Sequence, residues 1–429
     1  MLGFFLFLMV NATLFIRPAE IVPELLGLPI YNIFILSCLT CAFPLVLHQL
    51  QSDSLVSSPI SLCVVGLLGS VFLSHFSHLN LTASLNSTSL FVKVVLYFLL
   101  LVGLVDSMKR LRSLLFWVGW MILVLTALAL LQYHEIINVP ALASYAEAQY
   151  DHDGNVMGEI LRLCSTGIYN NPNSLSRILV TGILVSLYWL GDRRSGPLRL
   201  IWLAPLAIEA YALSLTHSRG GFMGLITAVL CLLYARFGAK TATVLTVLCL
   251  PVMLVFKGRQ SNLTISEGTG HQRLEIWAEG WTLFRQSPIF GIGMDQFAEE
   301  IHYVAHNSFF QSFAELGVIG GSFFAGMFYL GIRWPLKLGT IGSPIRDSDF
   351  RRLGCFLSAI LAGEAVGQLS ITRCYDVPTY LLTGLAAAYL RVAARNFGAK
   401  TPEVNFLLLL EVGSVSMALL FSLFLLMKL

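Results

Sequence analysis

Apolar segments long enough to cross a bilayer recur along the whole chain. A spanning helix needs about 20 such residues, and within lipid every backbone polar group must find its partner inside the protein. Only 12% of the 429 residues are charged, whereas a soluble domain carries about twice that fraction. We therefore predict an all-α, polytopic membrane protein with about 12–13 transmembrane helices in a single integral membrane domain, residues 1–429.

The hydropathy pattern places the spans with an uncertainty of about four residues at each end. The predicted spans are 2–16, 30–47, 58–76, 89–105, 113–132, 172–190, 200–216, 220–234, 240–256, 308–331, 353–371, 376–391 and 404–427. Two longer segments remain outside the bilayer: an outer loop at 133–170 and a larger extracytoplasmic loop at 257–307, which we expect to act as a lid.

The positions of the basic residues favour one orientation. With the N-terminus in the cytoplasm, more than half of the 27 Lys and Arg residues fall in short inner loops, as the positive-inside rule expects. The same topology places every histidine except His48 outside, or at the outer ends of helices. We therefore expect any chemistry to face away from the cytoplasm. The first span has no basic residue before it and no clear cleavage site, which is typical of a retained helix.

Charge and cysteine usage narrow the function further. The net charge of +3 is small for this length and gives no indication of nucleic-acid binding. Most of the eight cysteines lie inside predicted spans, where they pack as small apolar side chains. Cys164 and Cys374 both map to the outer side, where they could form a disulfide.

The large outer loop contains an amphipathic pattern. In HQRLEIWAEGWTLFRQSPIFGIG (271–293), Leu274, Trp277, Trp281 and Phe284 recur at helical spacing, which predicts a helix along the membrane interface. Ser287-Pro288 ends this helix, and two glycines at 291 and 293 indicate a tight turn. We expect a second short helix at about 295–304, with its apolar face formed by Phe297, Ile301 and Val304.

Two basic clusters lie on the predicted outer side. The stretch THSRGGFMG (216–224) places His217 and Arg219 at the junction of two spans, where the following glycines allow a close approach of the backbone to a ligand. Arg273 and Arg285 lie in the large loop, and guanidinium groups hold phosphate oxygens in a planar fork. Simpler explanations are an Arg219 side chain that extends to lipid headgroups and salt bridges to Glu275 or Glu279.

A third cluster, His306-Asn307, opens the helix predicted at 308–331. Asn307 is a favourable N-cap, and the free N–H groups of a helix start attract anions. The His306 imidazole titrates near neutral pH and can accept a proton from a hydroxyl group. The simpler explanation is a capping pair without chemistry.

A fourth stretch, STGIYNNPNSLSR (165–177), precedes another predicted helix. Pro172 suits the first turn of a helix, and the asparagines beside it, including Asn171 and Asn173, provide capping groups. Arg177 follows about one turn later.

In this order, the motifs resemble those of the O-antigen ligase and polymerase superfamily. The resemblance rests on Thr-Gly-x-x-x-Asn-Pro-Asn, Ser-Arg-Gly-Gly, Gly-Ile-Gly, His-Asn-Ser and Glu-Leu-Gly-Val-Ile-Gly, and it covers roughly residues 160–330. The segment 14–31 also resembles the Arg-Pro stretch of ligase-like proteins found with exosortase systems.

The resemblance implies a membrane glycosyltransferase of the GT-C type in the bacterial inner membrane, with its active site facing the periplasm. Such proteins transfer a glycan from an undecaprenyl-diphosphate carrier to a glycolipid or other glycan acceptor, among membrane lipids and without a cofactor. It further implies that Arg219 and Arg273 bind the diphosphate, that His306 acts on the acceptor hydroxyl, and that the displacement is inverting. The full set of substrate-binding candidates is Asn307, Asn171, Asn173, Arg177, Arg285 and His217, of which the asparagines would position the substrate.

Two alternative functions, polymerase and transporter, remain open, and so does the question of a metal ion. A ligase and a polymerase share this scaffold and differ in their acceptor. A transporter would instead need ionisable residues near the bilayer midplane; Glu209 and Glu364 lie within spans, but most polar clusters lie at the outer edge. Asp151-His152-Asp153 has the form of a divalent-cation motif, but such short matches are common by chance, and we expect no metal.

Overall fold

The computed structural model describes residues 1–150, 156–255, 269–340 and 342–428. Within these ranges the chain is largely helical. The α-helices, in chain order, are α1 Leu2–Ile16, α2 Pro18–Ile21, α3 Ile30–Gln49, α4 Ser52–Val56, α5 Pro59–Phe76, α6 Leu81–Leu104, α7 Met108–Tyr133, α8 Pro172–Leu190, α9 Leu203–Leu215, α10 Arg219–Val255, α11 Thr269–Gln286, α12 Gln296–Ile301, α13 Ser308–Gly339, α14 Ser348–Gln368, α15 Val377–Phe397 and α16 Phe406–Leu426.

The expected all-α, polytopic architecture is confirmed. Among the described residues, 11 helical segments are long and apolar enough to cross a membrane, and each coincides with a predicted span. Two further predicted spans do not belong to this set. The span at 353–371 corresponds to α14, which carries charged residues in its first turns, and the span at 240–256 corresponds to the second half of α10.

Several helix ends lie outside the predicted margin. Helix α6 begins at Leu81 rather than at 89, because the Asn80 side chain caps it by accepting the Ala83 N–H at 3.0 Å. Helix α13 continues to Gly339 rather than ending at 331. Helix α10 covers two predicted spans, with a break at Gly238, where φ is 77°. The added turns of α6 are rich in Ser, Thr and Asn, and those of α13 contain Arg333 and Lys337, so a hydropathy pattern does not assign them to the spans.

The outer loop at 133–170 contains an antiparallel hairpin that the sequence reading did not anticipate. Strand β1, Tyr145–Tyr150, pairs with β2, Val156–Arg162, with Tyr145 opposite Arg162. Asp151 and Asp153, the candidate cation motif, lie outside the described residues.

Contacts divide the chain into two compact units. The first unit comprises Met1–Cys41 and Arg112–Ser261. Its most buried helix is α8, which packs against α9 and α10. Gly221 of α10 lies so close to α8 that a Cβ there would be 2.4 Å from the Ser176 side chain. Glu209 of α9 is fully buried and accepts a hydrogen bond from the Ser186 hydroxyl at 3.0 Å.

The second unit comprises Ala42–Leu111 and Asn262–Leu429. Helix α13 runs through its centre and packs against α5, α14, α15 and α16. Helix α11, the predicted interfacial helix, also packs on this unit, with Phe284 in a cluster with Phe313 and Leu420. Glu364 is buried and accepts a hydrogen bond from the Gln368 side chain at 2.8 Å.

Candidate active site

The His306-Asn307 pair lies at the start of α13, in the second unit. Asn307 is the N-cap: its side-chain oxygen accepts the Phe310 N–H at 3.0 Å, which confirms the predicted cap. His306 has φ 49°, a left-handed backbone conformation that is uncommon outside glycine. Its N–H donates to Thr372 Oγ1 at 2.8 Å, so a second segment helps to hold this conformation.

That second segment is the 371–376 loop, which joins α14 to α15. The Ser308 hydroxyl donates to the Ile371 carbonyl at 2.7 Å and accepts the Arg373 N–H at 2.9 Å. The loop and the start of α13 are therefore fastened together by three hydrogen bonds that involve Thr372 or Ser308. The sequence reading did not select this loop, because its residues form no motif and their partners lie more than 60 positions away.

The structure brings Arg273 and His306 together within the second unit. The first turns of α11 lie beside this stretch, and the Trp277 indole donates to the Ala305 carbonyl at 2.6 Å. Burial, followed by the nearby positive charge of Arg273, lowers the pKa of His306 to about 4. His306 is therefore neutral at pH 7 and can accept a proton.

One polar atom at this helix start is unsatisfied. Asn307 is fully buried, and its side-chain nitrogen Nδ2 has no hydrogen-bond partner among the described residues. A buried donor without a partner costs about 1–3 kcal/mol. Such a cost in a native protein calls for an explanation. A ligand that accepts this hydrogen bond would be one explanation, and a rearrangement on binding would be another.

The two glycine motifs contact each other through backbone hydrogen bonds. The turn at Gly291 and Gly293, with φ 77° and 116°, confirms the predicted turn. Its backbone bonds to α13: the Ile292 N–H donates to the Ala314 carbonyl at 3.1 Å, and the Gly293 N–H to the Glu315 carbonyl at 2.9 Å. At Gly317, φ is 66° and the helical geometry of α13 is interrupted.

The backbone hydrogen bonds between the 291–293 turn and α13 replace hydrogen bonds within the helix around Gly317. The Val318 N–H, which follows it, donates to the Pro288 carbonyl at 2.8 Å. The approach is so close that a Cβ at Gly317 would be 2.2 Å from the Ile289 carbonyl oxygen. We define Ser287–Gly293 together with Ala314–Gly320 as the glycine clasp.

Glu315 is a buried polar residue that the sequence analysis includes only as part of a motif. It is fully buried, and its carboxylate accepts hydrogen bonds from the Tyr375 hydroxyl at 2.7 Å and the Gln311 side chain at 3.2 Å. The Phe297 N–H, at the start of α12, donates to it at 3.4 Å. Glu315 therefore ties α12 and the 371–376 loop to α13.

Helix α12 is shorter than predicted. It covers Gln296–Ile301 rather than 295–304, because Asp295 and His302 both have left-handed backbone angles that end it. Phe297 is buried, as expected for its apolar face, whereas Val304 lies beyond the helix and is exposed.

Arg285 lies away from Arg273 on the same helix. Both belong to α11, and the intervening 12 positions correspond to about 18 Å along the axis. Arg285 is exposed. Twelve positions also correspond to more than three turns, so the two side chains leave the helix on different faces.

Arg219 and His217 belong to the first unit, at the junction of α9 and α10, as predicted. Arg219 is the first residue of α10, and His217 has φ 47°. The Ser218 hydroxyl accepts the Gly221 N–H at 3.2 Å and so caps the helix. Arg219 is half-buried, and a positive charge at this helix end opposes the helix dipole.

The asparagines of the fourth stretch support the start of α8. Asn171 caps it by accepting the Asn173 N–H at 2.9 Å and the Ser174 N–H at 3.3 Å. The Asn173 side chain accepts a hydrogen bond from Arg162 at 3.0 Å. Arg177, one turn further on, is buried.

Arg162, which the sequence reading missed, connects three elements of the first unit. Besides Asn173, it binds the Glu147 carboxylate of β1 at 2.9 Å and the Thr216 carbonyl at 2.9 Å. The hairpin is thereby joined to both motif-bearing junctions. No local signal marks Arg162, because its partners come from separate parts of the chain.

Two further expectations concern cysteine and metal chemistry. Cys164 and Cys374 are both free thiols in this structure. Among the described residues, no group of three or more His, Cys, Asp or Glu side chains could hold a metal ion.

Comparison with known proteins identifies one family. Residues 204–325, from α9 into α13, match the family model described as O-antigen ligase. This segment contains Arg219, Arg273, His306 and Asn307 together with the glycine clasp. No curated protein matches the chain. This match supports the resemblance to the O-antigen ligase and polymerase superfamily that the sequence motifs indicate.

Proposed function

We propose that this protein transfers a glycan from an undecaprenyl-diphosphate carrier to an acceptor hydroxyl, on lipid A-core or a similar glycan, at the outer face of the inner membrane. The observation that carries the proposal is the neutral His306 beside Arg273 at the start of α13, within the matched segment. A neutral imidazole and a nearby cation are what deprotonation of a hydroxyl and binding of a diphosphate require.

In this proposal His306 is the general base. Without substrate, its lowered pKa makes it a weak base, since burial, and after it the positive charge of Arg273, opposes protonation. A bound diphosphate adds negative charge beside the imidazole and raises its pKa. Donor binding therefore strengthens the base at the moment when the acceptor hydroxyl must lose its proton.

Arg219 and Arg273 bind the diphosphate in this proposal. Breaking the sugar–phosphate bond develops negative charge on the leaving group, which fixed cations stabilise. For Arg219 the helix dipole gives additional support, because the start of α10 presents its positive end and free N–H groups at the same place. His217 precedes Arg219 and would contact the same group.

The remaining candidates have positioning roles. The unsatisfied Asn307 Nδ2 is a donor that substrate binding would engage. Asn171 and Asn173 act indirectly, since their side-chain oxygens already hold the helix start and Arg162. Arg285 would contact the glycan at a distance from the diphosphate.

The test is transfer in a defined membrane assay with Arg219→Ala, Arg273→Ala and His306→Ala. Each variant is expected to lose about 10²–10³ in rate, the usual effect of removing one charge-stabilising donor. Arg346→Ala is the matched control, because Arg346 is exposed and lies far along the chain from these motifs. Full activity in all three variants, with normal membrane insertion, would refute the site.

The products formed in a deletion strain distinguish the two acceptor types. Long, unattached polymer indicates loss of a ligase. Capped single repeats indicate loss of a polymerase, the second activity possible on this scaffold.

A further inference from the structure

A cavity of about 500 Å³ lies in the second unit, away from the residues discussed so far. Its walls come from the end of α3, from α4, from the start of α5, from the last turns of α15 and from residues 401–403. The Val404 N–H donates to the Val56 carbonyl at 2.9 Å, which fixes the last of these segments against α4. The volume lies in the range of small-molecule sites, about 300–1,000 Å³.

The cavity lies at the opposite membrane edge from His306. Helix α15 begins at Val377, directly after the 371–376 loop, and Arg391 lines the cavity. The 14 positions between them correspond to about 21 Å along the helix axis. By the orientation that the basic residues favour, this edge is the cytoplasmic one. A ligand here would occupy the headgroup layer of the inner leaflet.

The lining carries charges of both signs. Asp53 and Glu403 provide carboxylates, and Arg391 and His48 provide nitrogen donors. One terminal nitrogen of Arg391, Nη1, donates to the Val102 carbonyl at 3.1 Å, which orients the guanidinium group. The start of α5 at Pro59 also borders the cavity and favours an anion through its dipole.

Apolar side chains complete the wall. Ile60 and Leu390 lie among the lining residues, beside the charged groups. A ligand that matches this wall therefore has an anion, a cation and an apolar part within one small headgroup.

We propose that this cavity binds the headgroup of a zwitterionic aminophospholipid, with its phosphate toward Arg391 and the start of α5 and its ammonium toward Asp53 and Glu403. A net-negative headgroup fits less well, because the two carboxylates repel it. A choline headgroup also fits less well, because its quaternary nitrogen cannot donate a hydrogen bond to a carboxylate.

The test uses the full-length protein in detergent, titrated with phosphatidylethanolamine, phosphatidylcholine and phosphatidylglycerol of identical acyl chains. Native mass spectrometry measures the binding of each lipid. We expect phosphatidylethanolamine to bind about tenfold more tightly than the other two, the effect of charge-assisted hydrogen bonds at a partly exposed site.

The double variant Asp53→Asn with Glu403→Gln is expected to lose this preference. The matched control is Glu24→Gln with Glu300→Gln, which removes the same charge from exposed side chains outside the cavity. Equal binding of the three lipids to the wild-type protein would refute the proposal, as would a preference that survives in the double variant. The comparison of ethanolamine with choline lipids remains decisive even if a variant fails to fold, because only the ligand changes.

Discussion

At the scale of single residues, His306 combines three features. Its backbone has a positive φ, its N–H is bound to Thr372, and its imidazole has a pKa lowered to about 4 by burial and by Arg273. Non-glycine residues in this conformation persist only where their surroundings hold them, and they concentrate at functional sites. The backbone conformation of His306 and the charge state of its imidazole are therefore set by different neighbours, which can be tested separately.

The charge state gives a prediction for the pH profile. The imidazole loses its ability to accept a proton when pH falls through its pKa. Because the pKa of His306 is lowered to about 4, kcat/KM should stay level as pH falls from 7 through 6.5 and decline only as pH approaches 4. The measurement is kcat/KM for the glycan donor against pH, which reports the enzyme before the donor binds. A decline centred near 6.5 would show that an unperturbed histidine controls the rate.

Arg273 should influence both binding and the pH profile. Arg273→Gln removes the donor fork and the charge that lowers the pKa of His306. We expect kcat/KM to fall by about 10²–10³, with its acid limb moved to higher pH. Arg273→Lys is the control, because it keeps the charge but loses the bidentate geometry. An acid limb in the same place for both variants would contradict the assigned coupling.

Thr372 should act through the backbone of His306. Thr372→Val removes the acceptor of the His306 N–H, whereas Thr372→Ser retains it. The unsatisfied N–H costs about 1–3 kcal/mol, so we expect kcat/KM to fall about tenfold in the valine variant and to remain near wild type in the serine variant. Equal rates in the two variants would show that this hydrogen bond does not position the histidine.

At the scale of helices and loops, hydropathy located the spans but not their full lengths. Helices α6 and α13 extend beyond the predicted ends, and hydropathy does not assign the added turns to the spans because they contain polar or charged residues. The hairpin at 145–162 was missed for a similar reason: it lies outside the bilayer, where its short strands leave no hydropathy signal. Local capping chemistry was more informative, since Asn171 and Asn307 are the N-caps that the sequence predicted.

The candidate site was predictable only where its residues form contiguous motifs. His306, Asn307 and the glycines at 291 and 293 were all selected from the sequence. The 371–376 loop and Arg162 were not, because their roles depend on partners that are distant in sequence. Such contacts arise from tertiary packing, and they produce no regular spacing in the sequence from which they could be predicted.

The glycine clasp gives a stability prediction. Gly317→Ala places a Cβ 2.2 Å from the Ile289 carbonyl oxygen in a backbone with φ 66°. Overpacking together with left-handed strain should reduce the free energy of unfolding by about 2–4 kcal/mol. Thermal unfolding in detergent measures the change.

Gly413→Ala is the matched control for this variant. Gly413 lies within α16, and a Cβ there would have no neighbour within 4 Å. It should be neutral or slightly stabilising, by about 0.5–1 kcal/mol. Equal effects of the two substitutions would show that the clasp is not a tight contact.

At the scale of the whole molecule, the chain is a multi-pass membrane protein whose family motifs fall in both compact units. Arg219 belongs to the first unit, whereas Arg273 and His306 belong to the second. The proposed transfer reaction therefore uses residues of both units.

The proposed chemistry also predicts the response to chelation. If arginines and helix ends stabilise the leaving diphosphate, a divalent cation is not needed for that task. EDTA should therefore leave the transfer rate unchanged in the membrane assay. Loss of activity on chelation, with recovery on adding Mg²⁺ or Mn²⁺, would overturn this expectation and direct attention to Asp151 and Asp153.

The glycine clasp has a consequence for how the sequences of such proteins can be recombined. Its two halves come from positions about two dozen residues apart, yet each supplies hydrogen-bond partners that the other lacks. A chimera whose crossover falls between Gly293 and Ala314 would join halves from different parents, and neither half would retain the surface it evolved against. Recombination between relatives should therefore give a stably folded protein only when Ser287–Gly320 is inherited as one block.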